Sequence, residues 1–146
     1  MTRFDHWGPG VQVLQTHIST VVLAGDFAYK FKKPVKLPFL DFSTAELRRR
    51  YCEEELRLNR RTAPGLYLDV VPVFGPLDAP VLEGSVNEPP TDWALRMRRF
   101  PQEGLWSNLA QKGALNASRV DALAGSVAAF HQSISPMPDG WAPKRA

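Results

Sequence analysis

Two kinds of side chain that can bind phosphate stand in a suggestive order in this chain. Lys30 lies in the run VVLAGDFAYKFKK, and the adjacent acids Glu54 and Glu55 follow in CEEELRLNRR. If the lysine is on a strand and a glutamate is on the next helix, the carboxylate can hold an ammonium group that would otherwise move freely. An ammonium group held in this way can bind the phosphates of ATP. The order therefore predicts a nucleotide-phosphate site.

Both halves of this pattern have a plainer interpretation. Lys30 on its own could be an ordinary solvated lysine at the edge of a sheet. Glu53 to Glu55 could be a solvated acidic run that forms ion pairs with Arg57 to Arg60 along the helix. Contact between Lys30 and a glutamate decides between the two interpretations.

Three antiparallel strands are predicted to position Lys30. Val11 to Gln15 and Thr20 to Leu23 are apolar, β-branched runs, and a turn at Ala24-Gly25-Asp26 leads into Phe27 to Lys32. Alternation in the third strand places its aromatic residues on one face, and Ala28, Lys30 and Lys32 on the other. An adenine ring is thus expected to lie against Ala28, with Lys30 directed at its phosphates.

One helix is predicted to carry the glutamates. Ser43 with Glu46 has the pattern of a capping box, and Pro64-Gly65 ends a helix that we expect from Thr44 to about Arg61. Its expected inward stripe is Leu47, Tyr51 and Leu58, with Glu55 near the stripe and Glu54 at its edge.

The remaining pattern completes an α+β fold. Tyr67 to Phe74 and Trp93 to Arg99 are expected strands on either side of a proline-rich loop at residues 75–90, which gives a five-stranded antiparallel sheet with one inserted helix. Pro101 opens a short helix that Gly113 closes, and Ser118 opens a last helix. We expect residues 1–100 to form the sheet domain, residues 101–135 the following helices, and residues 136–146 an unstructured tail.

Composition excludes several classes of protein. Lys and Arg number 18 against 15 Asp and Glu, which is a weak basic bias. The arginines of the helix, Arg48 to Arg50 with Arg57, Arg60 and Arg61, alternate with glutamates and lack stacking aromatic residues, so a solvated helix face is expected rather than a nucleic-acid surface. The single cysteine, Cys52, excludes an internal disulfide and a cysteine-built zinc site. Without an apolar run long enough for a signal peptide or a membrane span, the chain is expected to be cytoplasmic and not bound to a membrane.

Several motifs in sequence order resemble a known family. THIS, VVLAGDFAYKFKKPV, FLDFST, CEEELRLNRR, APGLYLDVVPV, RMRRFPQEG and VAAFHQS together resemble the first lobe of aminoglycoside-phosphotransferase-like kinases, which have the protein-kinase-like fold. The resemblance is greatest to the bacterial subgroup in which this lobe begins a longer protein with a P-loop ATPase domain. It implies a kinase-like N-lobe followed by a hinge and the start of a second lobe.

The resemblance also implies site residues. Lys30 becomes the phosphate-binding lysine, and Glu55 or Glu54 its helix partner. Thr16 and Ser19 fall where such kinases have a glycine-rich loop over the phosphates, with hydroxyl groups here in place of glycines. The segment that joins the lobes and contacts adenine through its backbone corresponds to Met97, Arg98, Arg99 and Phe100.

The family's chemical groups are not expected in this chain. Its base-carrying His-Gly-Asp loop and its magnesium-binding aspartate would follow the hinge helices, and neither motif occurs before Ala146. The resemblance thus implies an ATP-dependent phosphotransferase lobe that binds ATP weakly, has no catalytic or metal-binding residue of its own, is inactive alone, and takes magnesium only when the second lobe is supplied.

A function of a different class is a non-catalytic interaction or assembly module. The predicted last helix carries Val120, Val127 and Ile134 on one side, and a second polypeptide or a second copy of the chain could cover them. His131 lies in the same stripe, where we expect a packed histidine bonded to backbone rather than a catalytic base.

Overall fold

The computed structural model describes residues 3–84 and 87–136. Short 3₁₀ turns cover Asp5–Trp7 and Gln102–Gly104. The regular elements of the described residues are, in chain order, β1 (Gln12–Gln15), β2 (Ser19–Ala24), β3 (Phe27–Lys32), β4 (Lys36–Leu37), β5 (Leu40–Asp41), α1 (Ala45–Asn59), β6 (Tyr67–Val73), β7 (Asp92–Arg98), α2 (Trp106–Gln111) and α3 (Ala117–Ser133).

Five of the strands form one antiparallel sheet in the order β1-β2-β3-β7-β6. Ala24 pairs with Phe27, so the β2–β3 hairpin turns through Gly25 and Asp26, and Gly25 adopts the positive φ of 54° that such a tight turn requires. Pro72 lies in β6, at the edge of the sheet, where its missing N–H removes no bond to a further strand. The predicted five-stranded antiparallel sheet with an inserted helix is confirmed.

The main core lies on the face of the sheet that carries the aromatic residues of β3. Its buried members come from the amino-terminal segment, β2, β3, β6 and β7: Phe4, Val22, Tyr29, Phe31, Val73 and Ala94. Trp7 packs edge-on against Tyr29, which extends this core toward the surface. The alternation predicted for β3 is confirmed on this side.

Helix α1 covers the opposite face, and its inward residues differ from those predicted. The helix buries Arg48 and Cys52, whereas Tyr51 is 38% and Leu58 43% exposed. The predicted stripe is therefore wrong at Tyr51 and Leu58, whereas Leu47 is half-buried. The buried side of the helix instead includes Arg48, because the carboxylate of Asp92 compensates its charge.

The cap of α1 also differs from the prediction. Thr44, not Ser43, is the N-cap, and its hydroxyl accepts a bond from the Leu47 amide. Ser43 instead donates its hydroxyl to Asp41, which lies at the end of the two-stranded hairpin β4–β5. Adjacent hydroxyl residues compete for the cap, and the Asp41 contact removes Ser43 from that role.

The loop between β6 and β7 is partly ordered by a bridge between Phe74 and Val81. Gly84 lies against the Phe74 ring so closely that a β-carbon there would fall 2.4 Å from ring atoms. Part of the loop therefore packs back on the sheet domain.

The chain divides into two compact units, Met1–Arg99 and Phe100–Ala146, beside the boundary expected at residue 100. In the second unit the single helix expected after Pro101 is instead a 3₁₀ turn followed by α2. Asn116, rather than Ser118, caps α3 by accepting a bond from the Arg119 amide. The expected unstructured tail lies, beyond Pro136, outside the described residues.

His131 does not have the packed environment that its stripe suggested. It is exposed on α3, a helix that has no buried residue. The prediction of a packed histidine is therefore wrong, because the described residues of its own unit leave the His131 ring exposed.

Candidate functional site: a lysine cluster between sheet and helix

Strand β3 and helix α1 bring Lys30 and Glu55 into direct contact. The Lys30 Nζ atom donates to Glu55 Oε1 at 2.7 Å. The side chain of Glu55 is 17% exposed and that of Lys30 is 30% exposed. The ion pair predicted between a strand lysine and a helix glutamate is therefore present, and one member remains accessible from solvent.

A second lysine shares the same carboxylate. Lys32 Nζ donates to Glu55 Oε2 at 2.8 Å, and the Lys32 side chain is only 6% exposed. Its ammonium group also lies 4.9 Å from the centre of the Phe42 ring, within cation–π range. The site is thus a cluster of three charged side chains, Lys30, Glu55 and Lys32, which we call the lysine cluster.

The electrostatics of the lysine cluster keep Glu55 ionised. Burial of the carboxyl group raises its pKa, but hydrogen bonds from Lys30 and Lys32 and their positive charges lower it by more, so the pKa of Glu55 lies below its ordinary value. With both ammonium groups charged, two positive charges face one negative charge. The cluster therefore has a formal excess of one positive charge.

Glu54, the alternative partner, points elsewhere. It pairs with Arg57 on the same helix, with Arg57 Nη2 at 2.6 Å from Glu54 Oε1, and the hydrogen bond from Arg57 lowers the pKa of Glu54. Glu53 pairs likewise with Arg49. The solvated acidic run thus describes these two glutamates, whereas Glu55 belongs to the cluster.

Two small buried residues lie near the cluster. Ala28, on the same side of β3 as Lys30, is buried and pairs with Met97 of β7. Cys52, about one helical turn before Glu55, is fully buried, and burial raises the pKa of its thiol to about 11. Cys52 is therefore a neutral structural residue.

A second ionic contact joins α1 to the sheet. Arg48 Nε donates to Asp92 Oδ1 at 2.6 Å, and Arg48 Nη1 donates to the carbonyls of Phe42 and Ser43. Asp92 Oδ1 also accepts the Trp93 amide at 2.8 Å. Arg48 is thus a buried structural residue, and its assignment to a solvated helix face is wrong because Asp92 compensates its charge.

The Thr16–Ser19 turn joins β1 to β2 and is closed by its own hydrogen bonds. The Thr16 hydroxyl accepts the Ser19 amide at 2.9 Å and lies 3.2 Å from the Ser19 carbonyl, to which it donates. Ser19 is buried, and Lys33 Nζ donates to the Thr16 carbonyl. To donate to a phosphate, as the sequence suggested, the exposed Thr16 hydroxyl must give up its bond to the Ser19 carbonyl, whereas Ser19 itself is buried.

The segment proposed to contact adenine begins inside the sheet. Met97 and Arg98 belong to β7, and the Arg98 amide donates to the Leu66 carbonyl at 2.9 Å. The Arg99 amide donates to the Asp26 carbonyl at 2.9 Å, and Phe100 begins the second unit. An adenine contact from this segment must therefore use backbone groups other than the amides of Arg98 and Arg99.

Sequence reasoning missed two residues of this region. Lys32 was placed on the face of Lys30 but given no role, although a second lysine on that face was itself a signal. Arg48 precedes Cys52 by four residues and Glu55 by seven, the helical spacing of a single face. That spacing could have identified Arg48 as an inward residue.

The described residues hold no group of three or more His, Cys, Asp or Glu side chains that could bind a metal ion. Within the same residues, no helix is long and apolar enough to cross a membrane.

Comparison with known proteins finds relatives of greater length. Uncharacterized proteins of Mycobacterium tuberculosis and Mycobacterium bovis are each 38% identical to this chain over 124 residues. The match covers 85% of the chain but 23% of each relative, so the chain spans about a quarter of the length of the proteins it matches. No protein-family model and no solved structure matches the chain.

Proposed function

We propose that this chain is the nucleotide-binding lobe of a small-molecule-kinase-like phosphotransferase similar to the aminoglycoside phosphotransferases. The observation that carries the proposal is the 2.7 Å contact between Lys30 on β3 and Glu55 on α1. A carboxylate that holds a partly exposed strand lysine is the arrangement by which kinases orient an ammonium group toward ATP phosphates.

The exposure of the two lysines supports Lys30 as the ligand-binding group. Lys32 is nearly enclosed, whereas Lys30 retains enough accessible surface for its ammonium group to reach an anion. The excess positive charge of the lysine cluster favours a ligand that brings negative charge, such as a nucleotide polyphosphate.

Catalysis of phosphoryl transfer requires functional groups in addition to those of the lysine cluster. Phosphoryl transfer depends on a positioned base and on metal ions that neutralise developing charge. The described residues hold no acidic cluster for a metal, and the matched relatives are about four times the length of the matched segment. The proposed function is therefore nucleotide binding, with transfer dependent on a second lobe.

Calorimetric titration with Mg-ATP tests this proposal. We expect weak binding by the wild-type chain and binding about tenfold weaker for Lys30→Ala, because one charged contact to phosphate is lost. Lys36→Ala is the matched control, since Lys36 also pairs with a carboxylate, Asp41, but lies outside the cluster. Equal affinity of the wild type and Lys30→Ala would disprove the phosphate assignment.

A second candidate function is an interaction module built on α3. The helix exposes Val120, Leu123 and Val127, and its C-cap residue Ile134 is exposed as well, by 38–47% each. Covering such a stripe contributes about 25 cal/mol for each Å² of apolar surface removed from water, which favours self-association or capture by a partner.

Light scattering at tens of micromolar, on the order of many protein–protein affinities, tests this alternative. We expect a dimer for the wild type and a monomer for Val120→Asp, which places a charge in the stripe. A monodisperse wild-type monomer would rule out self-association through α3.

A further inference from the structure

A cavity lies on the face of the sheet opposite the lysine cluster. Its volume is about 510 Å³, within the range of about 300–1,000 Å³ that is usual for small-molecule sites. Tyr29 lines the cavity, and because side chains alternate along β3, the adjacent Lys30 lies on the other face. We propose that this cavity, which we call the aromatic pocket, binds a small organic amine as its ammonium ion. The inference does not depend on nucleotide binding.

The walls of the aromatic pocket come from the amino-terminal 3₁₀ turn, the β2–β3 hairpin and the loop between β6 and β7. Trp7 Nε1 donates to the Pro80 carbonyl at 2.7 Å, which joins the turn to the loop. The bridge between Phe74 and Val81 holds the same loop next to the end of β6. The pocket is therefore formed before a ligand arrives. Its lining residues include His6, Trp7, Tyr29, Val81, Leu82 and Glu83.

Two polar side chains of the pocket offer hydrogen-bond acceptors. A carbonyl oxygen can only accept, so His6 Nε2, which lies 2.7 Å from the Pro80 carbonyl, carries the hydrogen and donates it. In the neutral ring His6 Nδ1 is then an acceptor. Glu83 is exposed and adds a carboxylate, whereas the Trp7 N–H is already bonded to Pro80. A ligand that complements these groups brings N–H donors and a positive charge.

The rest of the lining favours an apolar body beside the ammonium group. The rings of Trp7 and Tyr29 are perpendicular, with centroids 5.2 Å apart, and indole and phenol rings both attract cations. Val81 and Leu82 are half-buried and add aliphatic surface. Aromatic and aliphatic walls with one carboxylate are complementary to an amine that carries a hydrocarbon part, such as an arylalkylamine.

The arginines that contact neighbouring residues are engaged outside the pocket. Arg96 binds Asp69 through two hydrogen bonds of 2.8 and 2.6 Å. Arg99 Nη1 lies 3.5 Å from the Gly25 carbonyl, and neither arginine lines the pocket. Of the described residues that do line it, Glu83 alone is an Asp, Glu, Lys or Arg. The charge of the lining therefore favours a cation over an anion.

An NMR titration with three probes of similar size tests the ligand class. Phenethylamine, phenethyl alcohol and phenylpropionate are compared at about pH 8, where an alkylamine is charged and an imidazole is ordinarily neutral. We expect the amine to bind about tenfold more tightly than the alcohol, to shift the Trp7 indole N–H signal, and to exceed the carboxylate by more. Equal binding of amine and alcohol, tighter binding of the carboxylate, or no effect of the amine on Trp7 at about 10 mM would overturn the inference.

Two surface variants separate the pocket from general surface charge. Glu83→Gln should weaken amine binding about threefold and leave alcohol binding unchanged, because the lost contact is a partly solvated ion pair. Asp78→Asn is the matched control, since Asp78 is an exposed acid of the same loop outside the pocket. Equal losses in the two variants, or no loss in Glu83→Gln, would contradict the assignment. Lys30→Ala should not alter amine binding, so failure of the proposed function leaves this test intact.

Discussion

Helix α1 is joined to the sheet by two ionic contacts that differ in charge balance and in exposure. The Arg48–Asp92 pair is neutral, both side chains are less than 10% exposed, and backbone groups bond to the guanidinium and to the carboxylate as well. The lysine cluster, two turns further along, sets two ammonium groups against the single carboxylate of Glu55, and Lys30 reaches the surface.

The difference separates a structural contact from one suited to ligand binding. A balanced and enclosed pair gains nothing from a further ion, and opening it exposes two unpaired charges. An unbalanced and partly exposed cluster gains from an incoming anion. On this reasoning the Arg48–Asp92 pair fixes the helix, whereas the lysine cluster is the part of the interface where a ligand can bind.

The largest expected effect comes from breaking the enclosed pair. Arg48→Met should lower the free energy of unfolding by about 3–5 kcal/mol, because it leaves the Asp92 carboxylate buried without its charged partner. Urea denaturation measures this loss.

A double variant refines the same experiment. Arg48→Met with Asp92→Leu removes both charges and should cost clearly less than Arg48→Met alone. A double variant as unstable as the single one would mean that packing, rather than the unpaired charge, causes the loss.

The next effect concerns Cys52, which lies between the two contacts on the inward side of α1. Because burial raises the pKa of its thiol from 9.0 to about 11, the thiolate fraction near neutral pH falls by about a hundredfold, and the side chain is also fully enclosed. Iodoacetamide should therefore modify native Cys52 at least about a hundredfold more slowly than the urea-unfolded chain.

This reaction compares the two contacts directly. Arg48→Met should speed the alkylation of Cys52 because it loosens the helix, whereas Lys30→Met should leave the rate nearly unchanged. Rapid alkylation of the native wild type would show that α1 opens from the sheet and that neither contact fixes it.

The smallest effect is the pH dependence of the lysine cluster. The pKa of Glu55 is lower in the folded chain than its ordinary value of 4.5, so its contribution is fully present above that value and is lost as the pH falls through the folded pKa. The wild type should therefore lose about 1 kcal/mol more stability on acidification than Glu55→Gln. Denaturation midpoints at about pH 6 and about pH 3 measure the difference, and parallel losses would contradict it.

The strands could be predicted because their signal is local. Alternation in β3 assigned Tyr29 and Phe31 to the apolar core and Lys30 to the opposite face, and both assignments agree with the structure. Helix caps were less predictable, since Ser43 and Thr44 are adjacent residues with the same capping group. The contact of Ser43 with Asp41 decided between them.

The candidate site could be predicted only in part. A glutamate partner for Lys30 was expected, but Glu54 and Glu55 differ by about 100° around the helix axis, and the position of the sheet decides which one faces the lysine. Strand alternation correctly placed Lys32 on the same face of β3 as Lys30. Whether Lys32 also reaches the Glu55 carboxylate depends on the height of α1 above β3, which no local sequence pattern encodes.

The sequence by itself determined the sheet, the inserted helix and the side of β3 on which its lysines lie, because period-two alternation and turn residues act over a few neighbouring positions. Only the tertiary structure decided which face of α1 is buried. A stripe of apolar residues was expected there, but Arg48 and Glu55 lie inward because Asp92 on β7 and the two lysines on β3 compensate their charges. Compensation of buried charge depends on residues that are distant in the sequence, and it becomes visible only when the strands and the helix are assembled.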